Sequence, residues 1–369
     1  MSAKDDMQDK LKGLREGIDS LDGKILDLLN ERAKLAIEVG AIKRAKEAKT
    51  FYVPSREEDL VRRLKELNTG PFPGAAIRPV WKEIISASLS LEEPLNVAYL
   101  GPNATFTHQA CRKQFGLSAR YVPVTSISEV FDYVDKGKAD FGVIPVENTT
   151  EGVVSNTLDN FLDSQSKIVG EVLLRISLNL LNKSGSKASI TKVYSHPHAL
   201  PQCREWLEAN LPGIPALEAS STAQAARIAA DDDSAAAVAG ALAGELYGLE
   251  TVEAKIEDNP NNYTRFLVIG REIPEPGKVN KTSLLFAVKD QAGALYHMLR
   301  PFYDNNVNLT KIESRPMRKK AWEYVFFLDC EGHVSEESLQ LAIKGLEEVC
   351  QFVKVLGSYP AAEGLKGGE

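Results

Sequence analysis

The sequence predicts a multidomain protein in which an all-α segment, an α/β region and an α+β unit follow one another. Residues from about 7 to 46 contain no proline, and their apolar residues recur at alternating steps of four and three, which is typical of a helix with a heptad seam. After Pro94, short apolar strands alternate with helices, which favours an α/β architecture. Beyond residue 281 the elements follow the order βαββαβ of a ferredoxin-like fold.

The first domain, residues 1–93, is expected to contain three helices. Proline suits the first turn of a helix, so the second helix is expected to begin at Pro54. The third helix is expected to end before Pro94, because the residue before a proline disfavours the helical conformation.

The second domain, residues 95–271, is long enough for two lobes with parallel sheets and a ligand cleft between them. A run rich in proline and charge, residues 271–281, predicts a linker to a third domain at 280–360. The predicted strands of the second domain lie at 95–101, 120–123, 139–147, within 168–181, and at 190–195, 234–240 and 264–270. Its predicted helices include one that contains residues 108–115, and others near 126–134, 199–209, 222–231 and 240–247.

The composition limits the classes of partner. The net charge of −7 disfavours nucleic acid, and it requires any anionic substrate to be held by local cations. Without an apolar run of about 18 residues or an apolar signal region, we expect no membrane partner and a cytoplasmic protein. The four cysteines lack CxxC spacing and the pair His196 and His198 has no third ligand, so we expect free thiols and no metal.

One position of the heptad seam carries a charge. Arg32 needs an anionic partner, either a local glutamate such as Glu31 or Glu38, or a ligand. Lys43 follows three turns later, roughly 16 Å along the axis, so the two cations could bracket a compact organic anion. Arg15 lies about 25 Å from Arg32, so as a ligand it would serve a second chain of an intertwined dimer. The apolar members of the seam are Leu14, Ile18, Leu21, Ile25, Leu28, Leu35, Val39 and Ile42.

Polar clusters follow several predicted strands of the second domain, at 147–152, 195–197, 220–223 and 262–266. The carboxyl ends of strands are the usual place for chemistry in α/β sheets. Hydroxyls and amides at such positions also cap helices, so each cluster alone fits either interpretation.

The first domain resembles the all-helical chorismate mutase family in the runs LREGID, LLNERAKLAIEVGAIK, VPSREED and IISASLSLEE. The rearrangement that this family catalyses needs neither a nucleophile nor a proton transfer, only a folded substrate and a stabilised ether oxygen. Position 53 is Val where some relatives place an Asp. The resemblance implies that Arg15 of a partner chain, Arg32 and Arg56 bind the substrate carboxylates, Lys43 and Glu92 the ether oxygen and Glu57 the ring hydroxyl, while Ser88 lines the pocket.

The second domain resembles prephenate dehydratases in the runs LGPNATFTHQA, IPVENTTEGVV, YSHPHALPQC, STAQAA, ELYGL and NNYTRF. The resemblance implies a two-lobed fold like that of periplasmic binding proteins. His198 stands where the family usually has Gln in its SHPQ motif. The implied site has Thr264 donating to the departing ring hydroxyl, Asn148, Gln202, Ser195 and Glu147 orienting the substrate, and Arg265 meeting a carboxylate or bracing the cleft.

The third domain resembles the amino-acid-sensing ACT domain in the runs GALYHML and ESRP. The resemblance implies that phenylalanine binds at an interface and inhibits the enzyme. The implied contacts are Gly293, Ala294 and Leu295, with an adjoining turn formed by Glu313, Ser314, Arg315 and Pro316.

Together the resemblances imply a bifunctional chorismate mutase and prephenate dehydratase that works without a cofactor, as a homodimer or tetramer. Two alternatives stay open at this point. The dehydratase could prefer arogenate, or the helical domain could be only a dimerising element. Four cations, Arg15, Arg32, Lys43 and Arg56, favour the catalytic interpretation, because a purely structural pair of helices would not need them.

The acid at position 92 predicts a pH dependence. Glu92 can donate a hydrogen bond to the ether oxygen only when it is protonated, so mutase activity is expected to fall as the pH rises. Glu92→Gln is expected to flatten this decline, because the amide donates at any pH. Initial rates of chorismate loss across the pH range test this, and identical profiles for the two proteins would contradict it.

Overall fold

The computed structural model describes residues 3–45, 54–288, 291–316 and 324–362, and the chain forms two compact units within it. The helices of the first domain are α1 (Ala3–Ala45), α2 (Pro54–Leu67) and α3 (Gly74–Glu92). As predicted, α2 begins at its proline and α3 ends before Pro94, where Glu93 is already extended. Val53 lies outside the described residues. No described helix is long and apolar enough to cross a membrane.

The apolar seam of α1 lies on the surface of the single chain. Leu14, Leu28 and Leu35 are 67%, 64% and 63% exposed. A stripe of large apolar side chains along one helix is a surface that water covers poorly and that another protein can cover. The seam therefore does not belong to the hydrophobic core of its own chain.

The second unit is built mainly from three sheets. Its strands are β1 (Asn96–Leu100), β2 (Arg120–Val124), β3 (Phe141–Asn148), β4 (Gly152–Val153), β5 (Lys167–Arg175), β6 (Asn179–Asn182), β7 (Lys192–Ser195), β8 (Ala216–Glu218), β9 (Ala235–Ala239), β10 (Glu250–Glu253), β11 (Tyr263–Gly270), β12 (Asn280–Val288), β13 (Leu309–Pro316), β14 (Tyr324–Glu331) and β15 (Phe352–Pro360). Its α-helices are α4 (Phe106–Phe115), α5 (Ile127–Asp135), α6 (Ser155–Asp163), α7 (Arg204–Asn210), α8 (Thr222–Asp231), α9 (Ala241–Tyr247), α10 (Ala294–Asp304) and α11 (Glu337–Val349).

Two of the sheets form the two predicted lobes. The first has the order β2-β1-β3-β11-β5, with β4 paired to β3, and the second the order β10-β6-β9-β7-β8. The prediction of parallel sheets is confirmed for β1 with β2 and β3, and for β7 with β8 and β9. Both sheets are nevertheless mixed, because β11 is antiparallel to both β3 and β5, and β6 is antiparallel to β9. The chain leaves the first lobe after β5 and returns along β11, so the returning strand runs against its neighbours.

The third sheet confirms the βαββαβ order and has the strand order β13-β14-β12-β15. One face packs on α10 and α11 through residues such as Leu284 and Phe286. The other face joins the core of the first lobe through Leu285 and Ala287. Because both faces are covered, β12 is buried along nearly its whole length, and its last five residues, 284–288, are all apolar rather than alternating.

The residues predicted to form a turn in the third domain, Glu313–Pro316, are instead the last four residues of β13. They pair with the start of β14, and the exposure of side chains along β13 alternates as in a half-covered strand. The ESRP run therefore belongs to the ladder.

The third sheet touches the first lobe at the level of the backbone. A Cβ atom added to Gly357 of β15 would lie 2.0 Å from the carbonyl oxygen of Ile168 of β5. The Nζ atoms of Lys167 and Lys354 donate across the same contact, to Val355 and to Phe161 and Ser164 respectively. Glycine at 357 permits this approach, and the two domains dock closely.

Candidate functional sites

Four of the predicted mutase residues come together where α1 faces α3. Arg32 donates to Ser88 Oγ, and Lys43 Nζ lies 3.1 Å from Glu92 Oε2. The Lys43 and Glu92 side chains are 23% and 9% exposed, so this ion pair is partly shielded from water. Arg32 and Lys43 are about 16 Å apart along α1, whereas Ser88 and Glu92 are only about 6 Å apart along α3, so the two long cationic side chains converge on α3.

A glycine allows these helices to approach, and the sequence analysis missed its role. A Cβ atom on Gly40 would lie 3.1 Å from the Cα and Cβ atoms of Glu92. The signal was available, because glycine inside a helix costs about 1 kcal/mol relative to alanine and needs a compensating reason. Gly40 therefore positions the backbone of Glu92, whose carbonyl oxygen also accepts from Arg44.

The other predicted mutase residues have different surroundings. Arg15 is exposed on α1, seventeen positions before Arg32 and about 25 Å from it along the axis. Arg56 and Glu57 lie in the first turn of α2, where Arg56 is exposed and Glu57 is buried. Their roles stay predictions.

In the second domain, the end of β3 meets the start of β11. Asn148 and Thr264 are paired in the ladder, and Asn148 Nδ2 donates to Thr264 Oγ1 over 2.8 Å. The polar cluster at 262–266 thus lies at the beginning of a strand, not at its end as expected. Because β11 is antiparallel to β3, its first residues meet the carboxyl end of β3.

Two backbone groups fix the orientation of the Asn148 amide. Its Oδ1 accepts from the N–H groups of Thr150 and Glu151, at 2.8 and 2.9 Å. The nitrogen must then face Thr264, because an amide oxygen and nitrogen differ in what they can bond. The Thr264 oxygen is an acceptor in this bond, which leaves its own proton available for donation.

The same network continues through Asn262 to Gln202. Asn262 Oδ1 accepts from Asn148, and its Nδ2 donates to Gln202 Oε1 over 2.7 Å. Gln202 lies in a short 3-10 turn after β7, and its Nε2 group is left as the donor. Asn262, only 2% exposed, is a site residue that the sequence analysis did not single out. The NNYTRF run contains it, but nothing in the run distinguishes it from Asn261.

Three further predicted residues form their hydrogen bonds and ion pairs outside this network. Ser195 is fully buried, and its hydroxyl donates to the carbonyl of Val238 over 2.6 Å. Glu147 pairs with a lysine of β13, and Arg265 pairs with carboxylates of β5 and β14. The structure thus unites Thr264, Asn148 and Gln202, and gives Ser195, Glu147 and Arg265 other partners.

The histidine at position 198 contacts an acid from the other lobe. Its Nδ1 lies 3.3 Å from Glu151 Oε2, and its ring meets that of His196 edge to face. Burial lowers the pKa of His196, so the neutral form of this residue is favoured. Among the residues that the structure describes, no group of three or more His, Cys, Asp or Glu side chains could hold a metal ion.

The residues predicted to bind phenylalanine lie at the start of α10 and on β13, both in the third domain. Gly293 precedes α10 with φ of +80°, a left-handed conformation that favours glycine, and Ala294 begins the helix. Leu295 is 53% exposed. Residues 313–316 lie on β13, which is at the edge of its sheet, and the Arg315 and Glu313 side chains lie 3.7 Å apart.

Family models match the chain in three consecutive segments. Chorismate mutase type II matches residues 14–93, prephenate dehydratase residues 97–274, and the ACT domain residues 282–348. The bifunctional chorismate mutase/prephenate dehydratase of Aquifex aeolicus (strain VF5) is 52% identical over 358 residues, which cover 96% of this chain and 99% of the relative. These matches confirm all three resemblances.

Solved structures resemble the dehydratase and ACT portions. A prephenate dehydratase from Arthrobacter aurescens in complex with L-Phe is 33% identical, with a TM-score of 0.67, covering 72% of this chain and 90% of that one. A quorum-quenching acylase is 31% identical, also with a TM-score of 0.67, covering 73% of this chain and 98% of its own. Since this fold supports a second activity, the activity must be argued from the site and from the full-length relatives. The chain belongs to the bifunctional chorismate mutase/prephenate dehydratase family, and it joins an isomerase, a lyase and an ACT domain in one polypeptide.

Proposed function

We propose that the Arg32–Lys43–Ser88–Glu92 cluster rearranges chorismate to prephenate, and that the Thr264–Asn148 pair converts prephenate to phenylpyruvate. We further propose that the chain works as a dimer or larger assembly, and that phenylalanine binds the ACT domain and inhibits it. The observation that carries the dehydratase assignment is the fixed direction of the Asn148 hydrogen bond, which leaves the Thr264 proton available.

The mutase cluster suits a rearrangement that needs only a folded substrate and stabilisation of the negative charge on its ether oxygen. Arg32 is a planar donor that can bind a carboxylate with two hydrogen bonds, and Ser88 holds it in place. Lys43 and Glu92 can both direct a proton toward an ether oxygen, the first always and the second when protonated. Negative charge that develops on that oxygen is stabilised by groups already oriented before the reaction.

The dehydratase pair suits the loss of carbon dioxide and water from prephenate. As the bond between ring carbon and carboxylate breaks, its electron pair enters the ring and expels the ring hydroxyl. The Thr264 proton supports that departure by a hydrogen bond or by transfer, while the Gln202 amide can orient a carboxylate. Aromatisation supplies the driving force.

The exposed seam of α1 supports a dimer. Its apolar residues are uncovered in the single chain, and Arg15 lies too far from Arg32 to serve the same pocket. A second copy can cover the seam, since the same surface can be self-complementary about a two-fold axis. In such a dimer Arg15 of each chain would complete the pocket of its partner.

Phenylalanine is the effector that the comparisons support, because L-Phe is bound in the related dehydratase from Arthrobacter aurescens. The start of α10 offers helix N–H groups beside a glycine without a side chain, which suits a carboxylate and a close approach. The edge strand β13 can meet another chain. Arg56, Glu57 and Ser195, also implied by the resemblance, stay candidates for substrate contacts, whereas the ion pairs of Arg265 and Glu147 with the third sheet disfavour that role for these two residues.

Arg32→Ala is expected to lower chorismate turnover by about 10²–10³-fold, because an oriented cation is lost from the site. Prephenate turnover should stay at the level of the unmodified chain, since the two proposed sites share no residue. Spectroscopic assays of chorismate loss and phenylpyruvate formation on the same sample measure both. Equal loss of both activities, or of neither, would contradict the assignment.

Mixing this variant with Arg15→Ala tests the shared pocket. In an equal mixture, half of the dimers combine the two variants, and one pocket in each of these is intact. We expect chorismate turnover to recover to about a quarter of the unmodified level after chain exchange. A mixture as inactive as its components would refute the exchange of Arg15 between chains.

Asn262→Asp is expected to lower prephenate turnover by about 10²-fold. A carboxylate cannot donate to Gln202 Oε1, so Gln202 must turn and present its oxygen, not its nitrogen, toward a substrate carboxylate. Asn261→Asp is the matched control, because it adds the same charge one residue away on an exposed side chain. Unchanged kcat/KM for prephenate in Asn262→Asp would overturn the proposed network.

A further inference from the structure

Two successive steps of the β3–β11 ladder present their side chains to opposite faces of the sheet. The step Thr264–Asn148 forms the proposed dehydratase pair, and the next step is Arg265–Glu147. Because side chains alternate along a strand, the second pair projects away from the first. It faces the third sheet, which docks on this lobe.

The facing residues of the third sheet are also one ladder step. Lys311 of β13 and Asp329 of β14 are direct cross-strand partners. Lys311 Nζ lies 2.6 Å from Glu147 Oε2, and Arg265 Nη1 lies 2.7 Å from Asp329 Oδ2. The cation of each cross-strand pair thus contacts the anion of the other pair across the domain contact. We call Glu147, Arg265, Lys311 and Asp329 the charge quartet.

The Arg265 side of the quartet is largely buried, and each of the three guanidinium nitrogens already donates a hydrogen bond. The Arg265 side chain is 12% exposed, and it also donates to Glu171 Oε2 at 2.7 Å and to the Tyr359 hydroxyl at 3.0 Å. Lys281 Nζ lies 2.8 Å from Glu171, and Ser283 donates to Asp329. Such a guanidinium has little remaining capacity to bind a substrate carboxylate.

The carboxylate of Asp329 is ionised in this arrangement. Burial acts to raise its pKa, but the charge of Arg265, the hydrogen bond from Ser283 and the charge of Lys281 hold the pKa below its usual value. A buried charge pair of this kind is specific about geometry, because separating its members leaves a charge without compensation.

The quartet also lies next to the predicted effector segment. Lys311 is on β13, two residues before Glu313, where the residues implied to contact phenylalanine begin. A shift of β13 along or away from β14 would move Lys311 relative to Glu147. Glu147 immediately precedes Asn148 on β3, so a displacement of Glu147 would also shift the backbone that carries the proposed catalytic pair.

We propose that Lys311 and Asp329 are positioning residues of the ACT domain for the dehydratase site, and that the charge quartet transmits effector binding on β13 to Thr264 and Asn148. This inference rests on the proposed function, because it requires those two residues to form the dehydratase site. On this inference Arg265 braces the contact between the first lobe and the ACT sheet, and it does not bind a substrate carboxylate.

Lys311→Met in the full-length protein tests the inference. The phenylalanine concentration for half-inhibition of prephenate turnover is expected to rise by about tenfold, a usual size for a coupling between sites. KM for prephenate should rise more than kcat falls. Lys354→Met is the matched control, because Lys354 also reaches from the ACT sheet to the first lobe but bonds only to carbonyls of Phe161 and Ser164. It should keep normal inhibition.

Three results would overturn the inference: unchanged inhibition of Lys311→Met, an equal loss of inhibition in both lysine variants, or no recovery of inhibition when Lys311→Glu is combined with Glu147→Lys. Recovery in that reversed pair would support it, since it would show that inhibition depends on the ion pair between positions 147 and 311 and not on lysine as such. Thermal unfolding of each variant verifies folding. If the unmodified chain itself fails to convert prephenate, the proposed function fails instead, and the two failures are distinguished.

Discussion

The antiparallel pairing of β11 with β3 is the constraint on which both faces of the dehydratase domain depend. One rung holds Thr264 against Asn148, and the next holds Arg265 against Glu147. A slip by one residue would turn every side chain of β11 to the other face, exchanging the proposed catalytic pair for the brace. The ladder shifts register directly after Arg265, so these two rungs form a short aligned segment of their own.

In the helical unit, the close approach of α1 and α3 positions the proposed mutase residues. Arg32 lies within the apolar seam of α1, and the close approach at Gly40 brings Glu92 to Lys43. The seam that surrounds Arg32 is exposed in the single chain, and we propose that a second copy both covers its apolar side chains and completes the pocket. Catalysis and assembly would then depend on the same helix.

The sequence predicted most of this fold because its patterns are local. Heptad spacing, prolines at helix ends and apolar runs place most helices and strands within a few residues, but β4, α6, β8 and β10 were not predicted. The motifs contain Thr264, Asn148 and Gln202, which the structure brings into one hydrogen-bond network. The direction of β11 was not predictable, since strand order depends on where the chain crosses between lobes. Nor was the quartet, because Lys311 and Glu147 are 164 residues apart and no sequence pattern pairs them.

If the ACT sheet holds the β3–β11 rungs in place, phenylalanine binding must alter those rungs as well as its own site. Hydrogen–deuterium exchange of the full-length enzyme, with and without saturating phenylalanine, measures the protection of the backbone amides in both places. We expect phenylalanine to change the protection of amides at 145–148 and 263–266 together with those of β13. Inhibition accompanied by changes in β13 and α10 alone, with both rungs unaltered, would contradict it.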